Sequence, residues 1–245
     1  MSVHAESRGG PGRRRLLRVV LTGTVALAAG LVAGSPRTPD APVTGGPGRV
    51  RPATPRSALV ELEAGNARWR TLHERHPDET RIVRQTLVGG QHPFAVVLGC
   101  VDSRVPPELV FDQGLGDLLT VRSAGEVLDE AVLGSIAYGV IELGIPLVVV
   151  LGHQSCGAVA AAIRAAGGGP PLPGHMQYLV DQIHPAIDRT LSGAARIDAA
   201  ITANVRLVRA RLAAEPELAA KVAAGELAVV GARYELTSQR VRRIH

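Results

Sequence analysis

Two apolar runs stand out along the chain. Phe94-Ala-Val-Val-Leu-Gly99 and Pro146-Leu-Val-Val-Val-Leu-Gly152 contain no polar side chain and are rich in β-branched residues. That is the pattern of strands buried on both faces. Leu118–Val121 repeats it more briefly, as does Leu227–Val230 running on toward Tyr234. Between these runs the apolar positions take helical spacing. A first helix passes through Ala58, Leu62 and Trp69 with Ser57 as its N-cap, and a short one surrounds Glu108–Asp112. Further helices are predicted over Ala131–Leu143, Ala158–Ala166, Met176–Leu191, Ile197–Ala214 and Leu218–Ala224, with Gly167-Gly-Gly-Pro-Pro, Pro216 and Gly225 among the stop signals. Strands alternating with helices predict a single α/β domain with a mostly parallel central sheet flanked by helices. In such sheets a site forms at the carboxyl ends of the strands.

The pattern fails at the amino-terminal end. Residues 35–56 are Pro, Gly, Thr and Arg with almost nothing to bury, which predicts a disordered linker. Residues 1–34 hold Gly12-Arg13-Arg14-Arg15-Leu-Leu-Arg18 followed by a moderately apolar stretch from Val19 to Val32. This resembles a twin-arginine export signal, and it is too short for a comfortable membrane span of roughly 20 residues. The expectation is an exported protein that engages export machinery through this segment, and one anchored at the membrane if the segment is uncleaved. Charge supports the division. The net charge is +5, and five arginines against Glu6 place +4 of it before residue 35, leaving the remainder near +1. With aromatic residues at only 2%, the domain lacks the basic surface and stacking platforms of a nucleic-acid binder, and that class is excluded.

The chain has two cysteines, which excludes a disulfide framework. Each follows one of the two strongest strands. The first strand delivers Cys100-Val-Asp102-Ser-Arg104, and the second delivers His153-Gln-Ser-Cys156-Gly157. Zinc takes thiolate and imidazole ligands tetrahedrally, and a catalytic site uses three of them with one position open. Cys100, His153 and Cys156 would make such a set. A buried disulfide, two unrelated core cysteines and a Cys–His nucleophile remain alternatives on spacing alone. Asp102 and Arg104 lie close enough for the guanidinium to hold the carboxylate ionised, and a carboxylate only accepts hydrogen bonds. Beside zinc it would therefore orient a hydroxide for attack, or else turn and close the metal site itself.

These segments, with Gly116-Asp117, Val121-Arg122-Ser-Ala-Gly125 and Gly231-Ala-Arg-Tyr234, resemble the signature blocks of the β-class carbonic anhydrases. The resemblance runs in order from about Ala58 to Ile244, and it marks residues 57–245 as the catalytic domain. It implies one Zn2+ per subunit on Cys100, His153 and Cys156, with Asp102 a conditional fourth ligand in a closed form. It implies that Asp102 and Arg104 form a catalytic dyad and that the zinc-bound hydroxide converts CO2 to bicarbonate and a proton. It places Gln91, Leu119, Ala124, Tyr138 and Gly157 at the substrate pocket, some of them contributed by a partner in a homodimer or tetramer. Leu119 stands where phenylalanine is common. Glu126 stands where asparagine is common and is expected at the surface or a subunit contact. His175 and His184 have no spacing that ties them to the site. Hydrolysis of CS2 or COS on the same scaffold, and a non-catalytic zinc or bicarbonate-binding module, are the rival functions.

Overall fold

The computed structural model describes residues 50–245; the export-signal expectation over 1–34, and the linker as far as residue 49, lie outside them. Strands β1 (Ala95–Gly99) and β3 (Leu147–His153) are buried at every position, as unbroken apolar sequence requires. They pair in parallel, with Val96 opposite Val148 and Gly99 opposite Leu151. β2 (Leu118–Arg122) lies parallel beside β1, and β4 (Ala228–Glu235) lies parallel beside β3. β5 (Arg240–Ile244) is antiparallel to β4, so the order is β2-β1-β3-β4-β5.

Alternation along the strands sorts the core into two layers. Val96, Leu98, Val148 and Val150 face helices α4 (Glu130–Ile141) and α7 (Gly193–Ala214). Ala95, Val97, Leu147 and Val149 face α1 (Pro55–Arg70) and α3 (Pro107–Val110). A third apolar cluster surrounds the cysteines and draws on α5 (Gly157–Ala166) and α6 (Met176–Ile183). The remaining helices are α2 (Arg81–Thr86) and α8 (Pro216–Ala223). Among the described residues no helix is long and apolar enough to cross a membrane.

The structure corrects the sequence expectations in several places. The N-cap of α1 is Thr54 and not Ser57. Ser57 is the third helical residue, and the two side chains satisfy each other's backbone N–H groups at 3.1 Å, forming a capping box with Pro55 at the first helical position. Order extends further back, into the expected linker: the Arg51 guanidinium donates to the carbonyls of His92 and Gly116 and pairs with Asp117 at 3.5 Å. The helix expected over Met176–Leu191 ends at Ile183, and His184–Ala186 is a single 3-10 turn, because Pro185 has no N–H to continue the ladder. Strand β5 was not foreseen. Its sequence, Arg-Val-Arg-Arg-Ile, has no apolar run because it is an edge strand with mostly exposed side chains.

Close approach of α1 to α3 is set by Gly65, where an added Cβ would lie 1.7 Å from the Phe111 carbonyl oxygen. The neighbouring Asn66 uses that proximity. Its amide donates to the carbonyls of Val110 at 3.1 Å and Gln239 at 3.0 Å, and its oxygen accepts the Val241 N–H at 2.9 Å. One side chain thus fastens both α3 and the β4–β5 hairpin to α1. Gly65→Ala should lower the unfolding free energy by about 1–3 kcal/mol through overpacking, read as a lower urea midpoint at unchanged slope. An unchanged midpoint would mean that α1 does not depend on this contact.

Candidate metal centre

Three ligand-bearing side chains converge where β1 and β3 end. Cys100 is the first residue after β1, His153 is the last residue of β3, and Cys156 is the N-cap residue of α5. Ser155, at φ 56, turns the chain back sharply enough for His153 and Cys156 to face one point. The two Sγ atoms and a histidine nitrogen lie within 4.8 Å of one another, and all three residues are buried. The sulfurs are 3.9 Å apart and not bonded.

These atoms fit a metal. Two thiolates sharing a tetrahedral zinc stand about 3.8 Å apart, given Zn–S bonds of roughly 2.3 Å. His153 Nδ1 is 2.9 Å from the Gln154 carbonyl oxygen. A carbonyl can only accept, so the proton sits on Nδ1 and Nε2 carries the free lone pair. That Nε2 is buried and has no hydrogen-bond partner, an arrangement that is costly unless something else binds it. The two sulfurs are within hydrogen-bonding distance of each other. The hydrogen bond from Cys156 holds the Cys100 thiol down to about 4, helped by His153 and the Gly125 N–H, while the same bond and burial push Cys156 up. Burial alone would pull His153 down, but the neighbouring Cys100 sulfur and the charge there raise it above its ordinary value.

Asp102 lies at the rim. Arg104 Nε donates to Oδ1 at 2.9 Å and Arg104 NH2 to Oδ2 at 2.7 Å, and the Arg104 backbone N–H also reaches Oδ1. This fork holds the Asp102 carboxyl down at about 2. Its stabilising effect is therefore present above about pH 4 and is lost as pH falls through about 2. Asp102 Oδ2 is 3.8 Å from His153 Nε2. Sequence reasoning quoted Arg122 but gave it no role. Its guanidinium donates to the carbonyls of Cys100 at 2.8 Å and Asp102 at 2.7 Å, fixing the backbone that carries both side chains.

A cavity of about 280 Å³ opens beside Cys100 and Asp102. Its walls are apolar, from Val101, Ala124, Gly157 and Ala158 to Met176 and Leu179 on α6. Of the expected pocket residues, Ala124 and Gly157 are therefore at the cavity. Gln91 is exposed ahead of β1, Leu119 packs over Gly139 of α4, and Tyr138 is exposed on α4; within one chain none of these lines it. A larger cavity, about 520 Å³, lies between α1 and the β4–β5 side of the sheet, with no cysteine or histidine in its lining. Glu126 is not at the surface as expected. It is 2% exposed, at φ 55, and burial raises its carboxyl well above the ordinary range.

Known proteins resemble this chain. A family model described as carbonic anhydrase matches residues 95–241, spanning both cysteine-bearing segments. The chain belongs to the carbonic anhydrase family. Carbonic anhydrase 2 of Mycobacterium tuberculosis is 42% identical over 188 residues, covering 76% of this chain and 91% of its own. The fold is that of the β-class enzymes: the β-carbonic anhydrase CcaA superposes with a TM-score of 0.61 at 24% identity, over 76% of this chain and 94% of its own. A structure from the study of two tetrameric β-carbonic anhydrases of the ascomycete Sordaria macrospora gives 0.61 at 21% identity, over 77% of this chain and 97% of its own. This carbonic anhydrase should bind one zinc per chain, and Cys100→Ser or His153→Ala should reduce metal content to near zero by elemental analysis. Both thiols should react with a disulfide reagent only after chelation. Thiols equally reactive before and after chelation would remove them from the ligand set.

Proposed function

We propose that this carbonic anhydrase hydrates CO2 reversibly to bicarbonate and a proton using one zinc ion on Cys100, His153 and Cys156, with Asp102 and Arg104 as its orienting dyad. The observation that carries the reading is the unpartnered Nε2 of His153 facing two free thiols, with an ionised carboxylate 3.8 Å away. Zinc in such a site supplies the Lewis acidity that makes water a nucleophile near neutral pH.

The side chains supply direction. Asp102 is ionised and can only accept, so it selects the orientation in which the attacking water species donates its O–H to Oδ2. The remaining lone pair is thereby turned toward the apolar cavity. Arg104 keeps both carboxylate oxygens engaged, which favours this open arrangement over one in which Asp102 turns to the metal. Val101, Ala124 and Ala158 give CO2 an apolar wall with no donor to compete for it. Arg122 holds the Cys100 and Asp102 carbonyls, so ligand and dyad move as one unit.

The same proposal makes the enzyme a dimer or tetramer whose second copy brings Gln91, Leu119 or Tyr138 to the half-open cavity. β2 supports it as an edge strand with part-exposed side chains throughout. Placement outside the cytoplasm rests on residues 1–34 alone. Asp102→Asn should keep zinc and lose about 100-fold or more in CO2 hydration by stopped flow, and the wild-type rate should climb as pH passes ~7. A variant as fast as wild type would remove Asp102 from the mechanism. Turnover of CS2 or COS in place of CO2 would reassign the substrate.

A further inference from the structure

Gly152, the residue before His153, is where α7 presses closest to the sheet. A Cβ there would lie 2.4 Å from Cγ2 of Val205, so only glycine lets α7 seat Val205 on β3. That seating carries the preceding residue, Asn204, over the turn formed by Gly125 and Glu126. Asn204 is 1% exposed and interrupts the otherwise apolar buried stripe of Ile201, Val205, Val208 and Leu212 on α7. Its amide donates to the Gly125 carbonyl at 2.8 Å and approaches Glu126 Oε2 at 3.5 Å.

The turn beneath it is unusual. Gly125 and Glu126 are both left-handed, at φ 69 and 55, and the second is a non-glycine residue whose Oε1 is buried without a partner. Strain and unmet polarity persist where surrounding structure enforces them, and they concentrate at functional positions. The output of the turn is visible on its other side, where the Gly125 N–H donates to Cys100 Sγ at 3.4 Å. A donor aimed at a ligating sulfur withdraws electron density from it and fixes its lone-pair direction.

We infer that Asn204 is a positioning residue of the metal centre: by holding Gly125 in its left-handed turn it aims the Gly125 N–H at Cys100 and sets that sulfur's donor strength. The inference rests on the metal reading above. A residue that merely satisfies a core carbonyl would affect folding and leave the metal's spectrum alone, and that difference gives the test.

Full-chain protein is loaded with cadmium-113 or cobalt(II). In the wild type the Gly125 amide proton should show a through-hydrogen-bond coupling to cadmium. In Asn204→Ser the coupling should weaken, the sulfur-to-cobalt charge-transfer band should move to lower energy, and zinc affinity by chelator competition should fall about 10–100-fold. Glu126→Gln keeps an acceptor oxygen for Asn204 and should match wild type in all three. A folded Asn204→Ser variant with wild-type affinity and spectrum overturns the inference. So does a Glu126→Gln variant that loses as much affinity as Asn204→Ser, since the carboxyl would then be the active group. Absence of the Gly125 coupling in wild type overturns it even if no variant folds. Wild-type protein that takes up no metal would instead remove the metal reading beneath it.

Discussion

Parallel pairing of β1 with β3 fixes which side chains meet at the end of the sheet. Gly99 stands opposite Leu151, after which β1 stops and β3 continues through Gly152 to His153 with β4 alone as partner. Cys100 therefore leaves the sheet beside a histidine that is still inside it. A side chain in a strand reverses face with every residue, so a slip of one position would turn His153 away from both sulfurs. Register is held by apolar burial on both faces of both strands, which no slip could preserve together with the two core layers. The Cys100–His153–Cys156 cluster thus inherits its geometry from the most ordinary part of the molecule.

The central architecture was legible because its cause is local in sequence. Uninterrupted apolar runs can only be central strands or buried helices, and flanking glycine and proline decided between them. The clustering of Cys100, His153 and Cys156 was legible because each lies at or just past a strand end, although spacing alone could not separate a metal site from a disulfide. What escaped reading depends on partners distant in sequence. β5 is a strand only because Asn66 and β4 meet it. Glu126 looked like a surface residue because nothing near it in sequence reveals that α7 covers it. Asn204 did leave a trace, as one polar residue in a buried apolar stripe, and that interruption could have marked it. Pro185 was visible too, and a helix drawn through it ignored the missing N–H.

Around the triad the polar support is unequal. On the protein side, Arg122 donates to the Cys100 carbonyl, the Gly125 N–H donates to the Cys100 sulfur, and Asn204 donates to the Gly125 carbonyl. On the solvent side, among the described residues, there is only the Asp102–Arg104 fork, and Arg104 is itself exposed. Rigid support behind and sparse polarity in front suit the proposed role, a cation held firmly while a small apolar substrate comes and goes.

The support of His153 has a consequence for how the chain is made. Its Nδ1 rests on the Gln154 carbonyl. Gln154 is held in turn by the Tyr234 carbonyl on its N–H at 2.8 Å and by Thr237, 83 residues later in the chain, whose N–H donates to its side chain at 3.1 Å. During synthesis the two cysteines and the imidazole emerge long before the segment that steadies them. A ribosome-bound chain lacking residues 234–237 has Cys100, His153 and Cys156 but not the brace that points the imidazole. The brace on the imidazole is therefore complete only once the turn of the β4–β5 hairpin is in place.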